Sequence, residues 1–214
     1  MIIIKFKKTG PAAFIPHLDT IRTFMRILTR AKISVNFSSG FNPHMCLYFS
    51  NPIPLGLETV AEYCTIDADI LAKEFIEKFN FSSIDGIECL DAKNISQNPN
   101  FAAILCAAAY EFEIDGLKNY TKIIDSILGK PFIINYKSKG LDYSRDFSLM
   151  VKDIKQDNDI LKCVFSTGQN NLRHDIFANE ILRLTGLCKI NKILKTSQFY
   201  LDKNNLSNAD NLFK

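Results

Sequence analysis

Three histidines stand in this chain of 214 residues, and two of them, His17 and His44, lie in its first quarter beside residues that could work with them. Asp19 follows His17 closely, and His44 ends the run Ser39-Gly40-Phe41-Asn42-Pro43. Two imidazoles can cleave RNA without a metal, one taking the 2′-hydroxyl proton while the other protonates the leaving oxygen. The same side chains can instead fix a helix start or a turn, or hold a ligand, and their spacing leaves all three roles open. A metal set of His17, Asp19 and His44 would require His17 to precede the first helical turn, since residues two apart point to different sides of a helix. No metal or other cofactor is expected. His174 reads as an ordinary surface residue at the start of a later helix.

The second constellation is basic. Arg22, Arg26 and Arg30 recur every four residues, which on a helix makes a row about 12 Å long, comparable to two phosphate steps. Asp19, three residues before Arg22, is placed to pair with it and to support the helix start. The alternative for the row is salt bridging to acids such as Asp142 or Asp146. Ser39, Gly40, Phe41 and Asn42 could offer backbone N–H groups to an anion, with Phe41 as a stacking platform for a base. Equally, the loop could be a tight turn in which Gly40 takes positive φ and Phe41 fills the core. It lacks the lysine and spacing of a P-loop.

Charge distribution sharpens this reading. Residues 1–57 hold Lys5, Lys7, Lys8, Arg22, Arg26, Arg30 and Lys32 against the single acid Asp19, so this quarter carries +6 of a chain whose net charge is +3. Such asymmetry marks a surface that meets phosphates or an acidic partner, or a solvated face.

The elements that must position these groups follow from periodicity. Residues 2–8 alternate as a strand with one wet face. Over 17–32 the period becomes helical, with Leu18, Ile21, Phe24, Met25 and Leu28 on one side and the arginines on the other. Strands follow at 46–50 and 60–67, separated by the proline-broken 51–56, then a helix at 71–79 and a strand at 84–90. That order, β-α-β-β-α-β, is the split unit of the ferredoxin-like fold. After the polar stretch 91–100 a similar order returns: strand 110–114, helix 119–128, strand 132–137, a hairpin over 147–154 and 161–166, helix 176–184 and strand 198–201. The second unit thus carries an extra strand. The expectation is an α+β protein of two ferredoxin-like lobes in tandem, 1–95 and 105–203, with a polar, frayed tail at 204–214.

Composition bounds the rest. Hydrophobic residues make up 47% and charged residues 23%, an ordinary globular balance. The six cysteines, Cys46, Cys64, Cys89, Cys106, Cys163 and Cys188, form no CxxC pair, against a zinc ribbon or a local iron–sulfur motif. With no secretory signal, reduced thiols in the cytoplasm are expected. The longest apolar run, 101–110, is about half the ~20 residues that span a bilayer, and reads as buried packing through Phe101, Ile104, Leu105 and Cys106.

Taken together, Lys8-Thr9-Gly10-Pro11, Phe14-Ile15-Pro16-His17-Leu18-Asp19 with Arg22, Arg26 and Arg30, then Ser39-Gly40-Phe41-Asn42-Pro43-His44, Pro52-Ile53-Pro54-Leu55-Gly56 and Glu62 resemble the radical SAM-linked protein family, a domain of unknown function. Weaker similarity continues through Lys137-Ser138-Lys139 and Asp142 to Lys195-Thr196 and Tyr200. The resemblance implies an accessory protein encoded beside, or fused to, a radical SAM enzyme, and hence that enzyme as a partner. Many members have Ser where Pro16 stands, and continue Asn-Pro-His with Pro and a basic residue where this chain has Met45 and Cys46. The architecture also resembles, more loosely, the tandem ferredoxin-like endoribonucleases that process CRISPR repeats. The expected function is RNA binding through a basic groove. The alternatives are an interaction or substrate-presenting module for the radical SAM partner, and a metal-independent ribonuclease.

Overall fold

The computed structural model describes residues 1–118, 120–128, 130–187 and 189–214; Cys188 and the expected helix start at Asn119 lie outside them. The chain divides into two compact units, Met1–Leu105 with Gln198–Lys214, and Cys106–Ser197.

In the first unit β1 (Ile2–Lys8) leads through a 3₁₀ turn, Gly10–Phe14, into α1 (His17–Arg30); β2 (Leu47–Phe49), β3 (Glu58–Ile66), α2 (Ala72–Phe81) and β4 (Ile87–Asn94) follow. β1 pairs antiparallel with both β3 and β4, and β2 pairs antiparallel with β3. The resulting order 4-1-3-2 is the one that a β-α-β-β-α-β unit makes when its helices cover one face. Side-chain parity explains the core. Ile2, Ile4 and Phe6 of β1 and Cys64 and Ile66 of β3 face Phe24, Ile27 and Leu28 of α1 and Phe75 and Phe79 of α2, because alternate strand residues share a face.

The other face is not wet. Ile3, Ala61 and Tyr63 pack with Phe101 of the four-residue α3 (Phe101–Ile104), Leu105 and Ala209. Residues 204–214 are therefore not a frayed tail. β11 (Asn205–Asn208) folds back on the last residues of β10 (Lys192–Asp202), and a closing 3₁₀ turn, Ala209–Phe213, brings Asp210 to the Tyr63 hydroxyl and the Lys5 ammonium, each at 2.7 Å. This second cover corrects the expectation of one solvated face on β1.

The second unit takes β5 (Leu105–Glu113), α4 (Thr121–Ile127), the hairpin β6 (Ile133–Ser138) and β7 (Leu141–Asp146), then β8 (Val151–Asp157), β9 (Ile160–Ser166), α5 (His174–Thr185) and β10. Leaving aside the hairpin, its strand order β10-β5-β9-β8 repeats the 4-1-3-2 pattern. The fold is α+β, and the expected extra strand of this lobe is two, the β6–β7 pair. Phe112, Phe165 and Phe177, all solvent-inaccessible, make its aromatic centre. Among the described residues no helix is long and apolar enough to cross a membrane.

Candidate functional site

α1 positions both basic and polar candidates, on opposite sides. At 100° per residue, the buried Thr20, Phe24, Ile27, Leu28 and Ala31 centre on a direction close to that of His17, while Arg22, Arg26 and Arg30 centre about half a turn away. All three arginines are exposed. Arg22 pairs with Asp19 at 2.7 Å, and Arg30 donates to the Ser82 carbonyl at 2.6 Å. Arg26 makes no ion pair among the described residues. The acids offered as alternative partners are engaged elsewhere: Asp142 with Lys137, and Asp146 with the Phe132 and Ser148 N–H groups. The apolar side differs from expectation, since Leu18 is 66% exposed and Ile21 and Met25 only half-buried. Thr20 and Ile27 hold the central positions instead.

Half of the basic excess read in the first 57 residues is spent internally. Lys5 pairs with Asp210 and Lys7 with Glu88, and Lys8 is only 3% exposed. Four cations, the arginines and Lys32, remain for a partner.

The His44 loop is a hairpin bend anchored at its base. Phe37 bridges Met45; Ser38 N–H donates to the His44 carbonyl (2.9 Å), His44 N–H to Ser38 Oγ (3.2 Å), and Ser38 Oγ lies 2.9 Å from His44 Nδ1. His44 thus fixes the turn. Ser39, Gly40, Phe41 and Asn42 are exposed at its tip, and Gly40 has φ +129°. Phe41 is fully exposed, so the reading in which it fills the core fails.

The charged residues that parity buries form a third constellation. Lys8 follows Ile2, Ile4 and Phe6 on the helix-facing side of β1, and Glu62, opposite Phe6, precedes Cys64 and Ile66 on the same side of β3. Both charges therefore sit at core positions, at the end of the sheet where α1 begins. Glu62 accepts from Ser50 Oγ (3.2 Å) and Thr59 Oγ1 (3.0 Å), and Lys8 Nζ donates to the Ile15 carbonyl (2.6 Å). His17, the first residue of α1, closes the group, its ring edge-on to Phe49 at 5.9 Å between centroids. Among the described residues its imidazole makes no hydrogen bond. Together with Phe6, Thr20, Asn51, Pro52 and Ile53 these groups enclose a cavity of about 20 Å³, enough for one water molecule.

Burial lowers the pKa of Lys8, opposed by the nearby Glu62 carboxylate. Burial and then the Lys8 ammonium lower that of His17, with Glu62 again opposing. A neutral imidazole at physiological pH results, able to accept a proton or a hydrogen bond.

The structure does not bring His17 and His44 together. The His44 loop is tied to β3 through the Cys46 carbonyl and Asp67 N–H, just past Ile66, whereas His17 lines the pocket at Glu62. Five strand residues, roughly 16 Å, separate these anchor points, and among the described residues no contact or shared pocket joins the two imidazoles. No cluster of three or more His, Cys, Asp or Glu residues suited to a metal occurs among the described residues. His174 is not an ordinary surface residue: it stacks on Tyr110 at 6.1 Å, and burial lowers its pKa. Cys64 and Cys163 are buried thiols pushed up by desolvation, and Cys89 is pushed up to about 12.

Residues 1–174 match the family model described as an uncharacterized protein conserved in bacteria, DUF2344, and the chain belongs to that family. No curated protein matches the sequence.

Proposed function

We propose that this member of DUF2344 is a cytoplasmic RNA-binding protein that receives the phosphate backbone on the outer face of α1. The observation that carries the reading is the arginine stripe. Three guanidinium groups stand opposite the buried face, and among the described residues no carboxylate from another element closes over them. The loop that follows α1 adds an exposed aromatic, Phe41, on a base held by Ser38 and His44. Cationic side chains with an exposed ring suit single-stranded RNA, whose bases offer a π-face to stack on.

The test is binding of a fluorescent 12-nucleotide RNA measured across salt concentrations. Arg22→Ala with Arg26→Ala should weaken binding at least tenfold. It should also reduce the slope of log K against log salt by about 1.4, two contacts at ~0.7 each. Equal affinity and slope in the double variant overturn the proposal.

The similarity of the N-terminal blocks to the radical SAM-linked family supports a place beside a radical SAM enzyme. Phe14, Leu18 and Leu55, each more than 60% exposed, give such a partner apolar contacts. Co-purification of a stoichiometric complex free of nucleic acid would favour docking over RNA binding as the primary role.

A further inference from the structure

β8 ends the strand order of its sheet and pairs with β9 on one side only. The two strands are joined by the two-residue turn Asn158-Asp159, closed by Asp157 opposite Ile160, with Asn158 at φ +52°. In a turn of that length the closing pair is hydrogen-bonded. Asp157, Lys155 and Asp153 therefore turn their peptide groups to β9, whereas Gln156 and Ile154 turn theirs outward, with the Ile154 N–H held by the Asp153 carboxylate at 3.0 Å. Side chains divide between the faces in the same alternation. Ile154 is buried, while Asp153 and Lys155 stand on the other face with side chains 44% and 73% exposed. Lys155 lies opposite Lys162 across the β8–β9 ladder, a pair of like charges. Its one ion pair among the described residues is to Asp153 of its own strand, at 2.7 Å.

We infer that two copies of this chain associate by antiparallel pairing of their β8 edges about a two-fold axis at Ile154. Charges of one sign along an edge repel a second copy; here the two signs are placed to complement themselves. With the axis at Ile154, Lys155 meets Asp153 of the second copy and Asp153 meets its Lys155, the same contact made twice, as an isologous interface requires. Each Lys155 then has a carboxylate on its free side to set against Lys162 on the other. The two Ile154 residues face each other at the ~5.5 Å Cα spacing of a hydrogen-bonded pair, exchanging N–H and carbonyl bonds once each Asp153 carboxylate has turned to Lys155. Other registers fail. An axis at Lys155 opposes Lys155 to itself and Asp153 to Asp157, with the peptide groups of those residues already committed to β9. An axis at Gln156 sets Asp153 against Asp159 of the second copy. On the helix side, α4 and β8 border a cleft of about 810 Å³ with Ile124, Leu128 and Ile154 as apolar lining, and the second Ile154 adds to that lining.

The experiment is sedimentation velocity of the full chain over ~1–100 μM, with two exposed-site variants, Lys155→Asp and Asp153→Lys. The unchanged chain should pass from monomer to dimer within that range. Each variant alone sets like charges against each other twice and should raise the dimer dissociation constant at least tenfold. Mixed in equal amounts, the two should form a dimer again, because each lysine of one variant then faces a carboxylate of the other. That recovery also shows both variants to be folded, and no change in the stability of a single chain can produce it. A chain that stays monomeric at the highest concentration overturns the inference. So does a single variant that dimerises as tightly as the unchanged chain, which would place the contact elsewhere, or a mixture no more associated than its components. The RNA proposal is untouched by any of these results, since Arg22 and Arg26 are not probed.

Discussion

Replacing Asp210 by Ala is the most direct trial of the second cover on the first unit's sheet. Its two carboxylate oxygens accept from the Tyr63 hydroxyl and the Lys5 ammonium, each at 2.7 Å. Tyr63 is wholly buried, so Asp210→Ala leaves a phenolic hydroxyl in the interior without its partner, at a cost of about 2 kcal/mol. Lys5 keeps access to water, its side chain being 17% exposed, and the loss there is about 0.5 kcal/mol. Tyr63→Phe keeps the ring stacked on Phe101 (centroids 5.1 Å apart) and removes the hydroxyl cleanly, for about 1 kcal/mol. The double variant orphans nothing and should lose about 1.5 kcal/mol, against the roughly 3.5 expected from adding the single losses. Urea denaturation reads this directly: at a slope of about 2 kcal/mol per molar, Asp210→Ala lowers the midpoint by roughly 1 M. Additive single losses would refute the reasoning, because independent residues cannot be sharing one buried bond.

Two further outcomes follow from geometry and titration. A Cβ at Gly86 would lie 2.2 Å from the Thr9 carbonyl oxygen and 2.8 Å from Ala12 Cβ, at φ +81°, so Gly86→Ala should cost about 3 kcal/mol. Gly140→Ala, at φ +79° with no atom within 4 Å, should cost about 1 kcal/mol in the same denaturation assay; equal costs would mean the Thr9–Gly86 approach is not made. His174 has a lowered folded-state pKa, so the unfolded chain binds the extra proton first as pH falls through the ordinary imidazole value. The stability present above about pH 6.5 is therefore lost below it, with His17 contributing in the same sense. Comparing urea midpoints at pH 7.5 and 5.5, His174→Gln should show a smaller fall than the parent chain.

The helices and the first sheet were legible because their apolar periods are strong. α1, expected over 17–32, ends at Arg30; β1 has its expected bounds of 2–8, and the ends of the other three strands of this sheet differ from expectation by one to four residues. Periodicity gave only the approximate direction of α1's buried face: the larger apolar residues pulled the reading toward Leu18 and Met25, whereas the small Thr20 lies under the strand-to-helix junction. β7 is not signalled by a buried apolar row, because Leu141–Asp146 is exposed on nearly its whole length, Leu141 and Tyr143 included. The signal lay in its turn, where Lys139 and Gly140 both take positive φ, as a two-residue hairpin demands. β11 escaped for the same reason, with Lys203 and Asn204 at φ 45° and 71°. The arginine row could be read from spacing alone. The pocket could have been found from parity, since Lys8 and Glu62 continue rows of apolar core residues. Counting Lys8 within a basic quarter hid that, because net charge carries no information about which face of a strand a residue occupies.

The unit boundary at Ser197–Gln198 falls inside β10, with a consequence for biogenesis. Strands β1 to β4 are translated early, with Phe101 and Leu105 close behind, whereas Ala209, which completes the cover over Ile3 and Tyr63, follows only after the whole of Cys106–Ser197. Until then that face of the nascent sheet is only partly covered, a state prone to association with other chains. The intervening 92 residues of the second unit, Cys106–Ser197, emerge whole before that happens. The first unit is therefore begun before the second and completed after it.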